Sequence, residues 1–154
     1  MGKHAEAAAM GREVLAARRE VLGARHPDTL TTMSNLASTL YELGKHAEAE
    51  AMEREVLAAE REVLGARHPS TLTAMSNLAS TLYELGKHAE AEAMEREVLA
   101  AEREVLGARH PDTLTTMSNL AITLGAQGKH AEAEAMEREV LAARQELHAE
   151  AEAI

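Results

Sequence analysis

Residues 44–65 read GKHAEAEAMEREVLAAEREVLG, and the same stretch recurs unchanged at residues 86–107. Its apolar residues follow one another at intervals of four, three and four: Met52, Val56, Ala59 and Val63. This spacing places the four side chains on one face of an α-helix. Gly65 is a predicted helix stop, because glycine adopts the left-handed backbone conformation that ends many helices. The stretch therefore predicts one amphipathic helix, called helix B.

A second helical pattern follows each helix B after a short connector. In its first copy it runs from about Pro27 to Leu43, and its apolar residues are Leu30, Met33, Leu36, Ala37, Leu40 and Leu43. A proline suits the first turn of a helix, where its missing N–H costs nothing. Asp28 then favours the positive helix start, and Ser70 keeps a possible cap in the middle copy. This pattern predicts a second helix, called helix A.

The two patterns alternate with a period of 42 residues through the whole chain. The residues predict an all-α fold of seven helices in the order B-A-B-A-B-A-B. A single helix pair cannot bury its apolar faces, but stacked neighbours can, so the pairs are expected to form an α-solenoid of antiparallel helices. The prediction is a single array over residues 1–154, with units 2–43, 44–85 and 86–127 and a terminal half-unit 128–154.

Composition excludes several classes of function. The formal net charge is −10, whereas nucleic acids and anionic membrane surfaces favour basic proteins. The absence of cysteine excludes disulfides and thiolate chemistry, and no apolar run approaches the length of a membrane span. Neither nucleic acid nor membrane is therefore an expected partner. A natural chain of this kind is expected in the cytoplasm, and for an engineered chain no compartment is predicted.

Residues 26–65, HPDTLTTMSNLASTLYELGKHAEAEAMEREVLAAEREVLG, carry a recognisable signature. Its parts are His26-Pro27-Asp28, Asn35-Leu36-Ala37, Gly44-Lys45, Ala49 and Val63-Leu64-Gly65. The repeat resembles the 42-residue tetratricopeptide repeat (TPR) of kinesin light chains. It departs from that family at His46 and Glu53, where the family usually has aromatic residues. The resemblance implies a right-handed superhelix of helix pairs.

The resemblance also implies a peptide-binding groove lined by the A helices. The matching positions are Thr31, Ser34, Asn35, Ser38 and Tyr41 in the first copy, Thr73, Ser76, Asn77, Ser80 and Tyr83 in the second, and Thr115, Ser118, Asn119, Ile122 and Gly125 in the third. Ser, Thr and Asn are mediocre helix formers, so their accumulation within a helix needs a reason. Binding to an extended peptide is one reason, and close helix packing is the other.

The histidine and glutamate side chains could in principle bind a metal or catalyse a reaction, but their positions indicate structural roles. Histidines of the same repeat position lie one unit apart, about 10 Å or more, which is too far to share a metal ion. They are interpreted as turn and cap residues. The carboxylates Glu48, Glu50, Glu53 and Glu55 are interpreted as a solvated helix face, with Glu50 and Arg54 as an i,i+4 pair. We therefore expect no enzyme, no metal and no cofactor.

The repeats differ most at the two ends of the chain. Units 44–85 and 86–127 differ at six positions, and the first unit differs from the second at five. In the first helix B, Ala8, Gly11 and Arg18 replace glutamates on one face that also carries Leu15. Towards the other end the changed residues are Ile122, Gly125, Arg144, Gln145, Leu147 and His148. The last helix lacks its glycine stop, so it is expected to continue towards residue 154.

Two interpretations of these edits stay open. They could mark capping repeats that have only one neighbour, or faces remodelled to meet a second copy of the chain. The second interpretation predicts a non-enzymatic scaffold that forms a homo-oligomer, and the near-identical copies suggest an engineered building block. The alternative function is an adaptor that binds a peptide or protein segment in the A-helix groove.

Overall fold

The computed structural model describes residues 2–154, which form seven α-helices and no β-strand. The helices are α1 Gly2–Val21, α2 Pro27–Glu42, α3 His46–Val63, α4 Pro69–Glu84, α5 His88–Val105, α6 Pro111–Ala126 and α7 His130–Ala153. The predicted alternation of B and A helices is confirmed, with odd numbers for B and even numbers for A. As predicted, α7 is longer than the other B helices. Within residues 2–154, no helix is both long and apolar enough to cross a membrane.

A histidine caps the N-terminus of each A helix. His26 Nδ1 accepts a hydrogen bond of 3.1 Å from the backbone N–H of Asp28, and Pro27 occupies the first turn. His68 and His110 make the same bond in the second and third copies. The cap role predicted for these histidines is confirmed. Ser70 only donates its backbone N–H to the cap, so the interpretation of Ser70 itself as the cap is wrong.

The A helices end at glycines with positive φ. Gly44 has φ +79°, and its N–H donates to the carbonyl of Tyr41 at 3.0 Å. The next residue, Lys45, donates its N–H to the carbonyl of Leu40 at 2.8 Å. These two bonds satisfy carbonyls that would otherwise lack partners at the helix end, in the arrangement of a Schellman motif. The turn then reverses the chain within three residues, so α3 runs back along α2.

The described residues group into two compact units, 2–85 and 86–154, which are called the first and the second unit from here on and differ from the 42-residue repeats. Consecutive helices pack against each other in both units: α1 with α2, α2 with α3 and α3 with α4 in the first, and α5 with α6 and α6 with α7 in the second. The boundary coincides with the predicted start of a repeat at Gly86. That the whole chain forms a single array stays a prediction.

Leucine and methionine of the A helices form most of the core. In the second unit, Leu114, Met117, Leu120 and Leu124 of α6 pack with Val140 of α7. The apolar face predicted for helix B is only partly correct, as the first unit shows. Val56 and Ala59 are buried, but Val63 is 59% exposed because it lies in the last turn of α3. Leu57, which the spacing argument left out, is buried, so α3 has a second buried side.

Candidate peptide-binding groove

The A helices of the first unit border two depressions that meet at one residue. The first has a volume of about 230 Å³ and is lined by Ser38, Tyr41, Glu42, Glu53, Asn77, Ser80 and Thr81. The second has a volume of about 290 Å³ and is lined by Ser34, Glu60, Pro69, Ser70, Thr73, Ala74 and Asn77. Asn77 of α4 lines both, and α3 supplies Glu53 to one and Glu60 to the other. We call the two depressions together the α2–α4 groove.

Tyr41 links three helices at one end of the α2–α4 groove. Its ring meets the imidazole of His46 edge-on, with ring centres 4.8 Å apart, and its hydroxyl lies 3.4 Å from Glu84 Oε1. Burial and the neighbouring Glu84 carboxylate raise the pKa of the Tyr41 hydroxyl. Tyr41 therefore stays neutral and offers a fixed aromatic surface with a polar tip, as binding sites often do.

Glu53 of α3 lines the first depression. Its Oε1 accepts a hydrogen bond of 2.6 Å from the hydroxyl of Thr81. Burial raises the pKa of Glu53 to about 7, the Thr81 bond opposes that rise, and the Glu50 carboxylate adds to it. Glu53 is half-buried, whereas Glu50 is buried and accepts from Arg54 Nε at 2.8 Å, as predicted for that pair.

The interpretation of these glutamates as a solvated helix face is therefore wrong for Glu50 and Glu53. Helix α3 packs against both α2 and α4, so one side of its acidic surface is covered. Glu48 and Glu55 are exposed, as predicted, and form 2.8 Å ion pairs with Arg12 and Arg19 of α1. Such exposed pairs contribute little to stability.

Glu60, which lines the second depression, lacks a partner that its repeat counterparts have. In the third copy, the hydroxyl of Thr116 donates to Glu102. In the second copy Ala74 replaces that threonine, and the buried Glu60 Oε2 has no hydrogen-bond partner. Burial raises the pKa of Glu60, and nearby His68 opposes the rise. The change from threonine to alanine therefore leaves an unsatisfied acceptor beside an open volume.

The structure brings six of the predicted groove residues into these depressions: Ser34, Ser38, Tyr41, Thr73, Asn77 and Ser80. Thr31 and Asn35 lie on the exposed side of α2, whereas Ser76 and Tyr83 are half-buried on α4. In the second unit, Asn119 and Ile122 lie on the exposed side of α6, together with Thr115. Sequence reasoning missed Glu53, Glu60 and Thr81 as groove residues. The one available signal was Ala74, which breaks the repeat pattern where the other copies have threonine.

The edited face of α1 is packed inside the chain. Ala8 and Leu15 are 2% and 3% exposed, and a Cβ atom at Gly11 would lie 3.2 Å from Leu36 Cδ1 of α2. Arg18 Nη1 donates to the hydroxyl of Thr32 at 2.7 Å and to the carbonyl of Asp28 at 3.0 Å. The expectation that this face is open to a partner is therefore wrong, because α2 covers it. The substitutions at these positions instead allow α1 to pack closely against α2.

The edited residues near the other end have mixed positions. Leu147 packs against the core of the second unit, so it is not an open contact residue. Gly125 is half-buried, Ile122 is 55% exposed, and Arg144, Gln145 and His148 are exposed on α6 and α7. His148 Nε2 lies 3.3 Å from Glu152 of the same helix. Only these exposed positions are available to a second molecule.

Nothing in residues 2–154 gathers three or more metal-ligating side chains into one cluster. The α2–α4 groove offers hydroxyls, an amide and carboxylates at the surface of packed helices. Such groups donate and accept hydrogen bonds and attract positive charge. The arrangement is therefore suited to binding a ligand through hydrogen bonds and charge.

Two family models, both described as tetratricopeptide repeat, match the sequence. One covers residues 1–62 and 96–146, and the other covers residues 71–112. The chain therefore belongs to the tetratricopeptide repeat family. A search of curated proteins finds no match. TPR arrays are generally non-enzymatic scaffolds for protein–protein interaction, and the fold described above is suited to that role.

Solved structures agree with this assignment. The nearly identical TPR-like repeats of a Podosopora anserina protein, provisionally described as a kinesin light chain, have a TM-score of 0.85 at 27% identity over 95% of this chain and 69% of that one. A single-residue variant of the same repeats gives 0.87 at 27% identity, over 96% and 69%. BtubC (BKLC) from P. vanneervenii gives 0.86 at 22% identity, over 96% and 59%, and shows the fold alone. The predicted TPR-type all-α fold class and the kinesin-light-chain resemblance are confirmed.

Proposed function

We propose that this chain is a non-enzymatic interaction module that binds an extended peptide segment in the α2–α4 groove. The observation that carries the proposal is the meeting of two depressions at Asn77, whose amide can both donate and accept. An extended peptide has backbone N–H and C=O groups without internal partners, and an exposed amide can pair with both. In a helical ligand most backbone N–H and C=O groups are already hydrogen-bonded to each other, so such a ligand would gain less from hydrogen bonds to Asn77.

Hydroxyl groups beside Asn77 support the same proposal. Ser34 and Ser38 face the groove from α2, while Thr73 and Ser80 face it from α4. Ser80 Oγ also donates to the carbonyl of Ser76 at 3.2 Å, yet its oxygen can still accept from a ligand. Polar groups on both walls can therefore hold a peptide that lies along the groove, and Tyr41 provides an apolar surface at one end.

Selection from a display library of random twelve-residue peptides tests this function. Peptides enriched on the unmodified protein should bind Asn77→Ala at least tenfold more weakly, since two hydrogen bonds to the ligand are lost. Asn119→Ala is the matched control, because it makes the same change on α6 and should leave affinity unchanged. Circular dichroism and solution mass should not differ between the three proteins. If the enriched peptides bind Asn77→Ala as tightly as the unmodified protein, the groove is not the binding site.

Self-association remains a second candidate function, now through different residues. On α1, Met10 is 67% and Val14 is 44% exposed, whereas Val56, the counterpart of Val14 in α3, is 2% exposed. On α7, Leu141 is 58% exposed, and its counterpart Leu57 is 3% exposed. Apolar side chains that are buried in the middle copies are thus open on α1 and on α7. A second copy of the chain could cover them.

Solution mass tests this second candidate. Size-exclusion chromatography with light scattering should give an oligomer mass at tens of micromolar, and Leu141→Glu should lower that mass towards the monomer. A monomer mass for the unmodified chain would refute self-association. This candidate includes the hypothesis of an engineered building block, which the near-identity of the copies suggests. For a natural chain, either function fits the expected cytoplasmic location.

A further inference from the structure

Both depressions of the α2–α4 groove are lined by acidic side chains. Glu42 and Glu53 line the first, and Glu60 lines the second. Among the described residues, the linings of these two depressions contain no lysine or arginine. The groove therefore offers nothing positive to an acidic ligand, while a ligand ammonium group would meet a carboxylate in each depression.

Glu60 gives the stronger indication of what the second depression accepts. Its buried Oε2 has no hydrogen-bond partner, and an unsatisfied buried acceptor is costly. In the first copy the corresponding charge is Arg18, which bonds to Thr32, and in the third copy Glu102 is satisfied by Thr116. Only the middle copy combines a carboxylate at this position of helix B with an alanine in place of the threonine of helix A. A ligand with an N–H donor and a positive charge in the second depression would lie beside this carboxylate and favour its charged form.

The spacing of the two carboxylates restricts the ligand. Glu53 and Glu60 are seven residues apart on α3, which is two helical turns or about 10.5 Å. In an extended polyproline-type segment, residues i and i+3 point the same way and lie about 9.3 Å apart. Adjacent basic residues would lie too close together to reach both depressions. Two lysines or arginines separated by two residues match the distance.

We propose that the α2–α4 groove binds an extended cationic segment that places two basic side chains, three positions apart, against Glu53 and Glu60, with Asn77 pairing to the backbone between them. This proposal rests on the peptide-binding function argued above and names the class of its ligand. The basic side chain in the second depression takes the place that the threonine hydroxyl occupies in the third copy.

Isothermal titration calorimetry with defined peptides tests the proposal. The probe is a capped proline-rich octapeptide with two lysines separated by two prolines. A second peptide has the same composition with adjacent lysines, and a third has glutamates at the lysine positions. The first peptide should bind about tenfold more tightly than the second, because only the first reaches both carboxylates. The third should show no binding. Equal binding of the first two peptides would refute the spacing argument.

Two variants test the role of the second depression. Glu60→Gln removes the charge at constant shape, and Ala74→Thr restores the hydroxyl that satisfies the carboxylate in the third copy. Each should weaken binding of the first peptide about tenfold, the loss of one charge-assisted hydrogen bond. The matched control, Glu48→Gln, removes the same charge from an exposed site on α3 and should change affinity less than twofold. An equal effect of all three variants would show general attraction to an acidic protein and would overturn the proposal.

The two proposals fail in different ways. If library-selected peptides depend on Asn77 but carry no paired basic residues, and Glu60→Gln leaves their binding unchanged, the ligand class is wrong and the peptide-binding function stands. If neither the selected peptides nor the dilysine probe depends on Asn77, both proposals are wrong. Raising the salt concentration should weaken the dilysine peptide more than an uncharged selected peptide, because salt screens the ion pairs.

Discussion

Glu53 is expected to make the stability of the first unit depend on pH. Its folded-state pKa of about 7 lies above the ordinary value of 4.5, mainly because burial disfavours the charged form. The groups near it are Glu50 on α3 and the Thr81 hydroxyl on α4, and Tyr41 and Glu42 of α2 line the same depression. Below pH 4.5 the carboxyl is neutral in both states. As the pH rises towards 7, the unfolded chain gains from ionisation and the folded chain does not, so stability is lost.

The size of the effect follows from the pKa difference. The difference between about 7 and 4.5 is about 2.5, which at about 1.36 kcal/mol for each pKa unit is about 3.4 kcal/mol. Solvent still reaches part of the side chain, which screens the charge, so we expect about half of this, or about 1.7 kcal/mol. Glu53→Gln keeps an oxygen that can accept from Thr81 and removes the charge. The variant should therefore be more stable than the unmodified chain at pH 8 but not at pH 4.5.

Urea unfolding followed by circular dichroism measures this difference. The free energy of unfolding should favour Glu53→Gln over the unmodified chain by about 1.7 kcal/mol more at pH 8 than at pH 4.5. Other titrating groups are present in both proteins and cancel in the comparison. The control Glu48→Gln, at an exposed site, should show a difference that changes by no more than about 0.5 kcal/mol. A Glu53→Gln effect of the same size at both pH values would refute the reasoning.

Two further predictions concern helix ends. His68→Ala should lower the free energy of unfolding by about 1 kcal/mol in urea melts, because the cap acceptor is lost, and His68→Asn should restore most of it. Gly44→Ala should cost about 1 kcal/mol or more, because Gly44 has φ +79°, and a gain in thermal midpoint would contradict this.

Local signals in the sequence were sufficient to predict the helices and where they end. The repeated glycines predict the helix stops because a positive φ is a property of one residue and its neighbours. The His-Pro pairs likewise predict caps, and at His26 the cap bond spans only two residues. Apolar spacing identified the buried face of α2 correctly, since Met33, Leu36 and Leu40 are buried. These features depend on contacts within a few positions along the chain.

The groove could be predicted only in part. Asn77 and its polar neighbours were placed by the family resemblance, and the structure brings six of those predicted residues into two depressions. Glu53 was assigned to a solvated helix face because a single helix viewed alone has one apolar face and one charged face. Helix α3 packs against both α2 and α4, so part of its charged side lines the groove. The sequence of α3 alone does not show that α4 packs against this side of the helix.

The sequence by itself determined the seven helices, their caps and stops, and the repeat class, because each depends on periodicity and on short-range backbone chemistry. Only the tertiary structure decided which edited residues are available to a partner. Ala8, Gly11 and Arg18 share a helical face, as the spacing predicts, but that face is turned towards α2. In the same way, only the tertiary structure shows that Ala74 lines the same depression as Glu60, whose Oε2 has no hydrogen-bond partner. Spacing along a helix fixes which side chains share a face, and packing against neighbouring helices decides what that face meets.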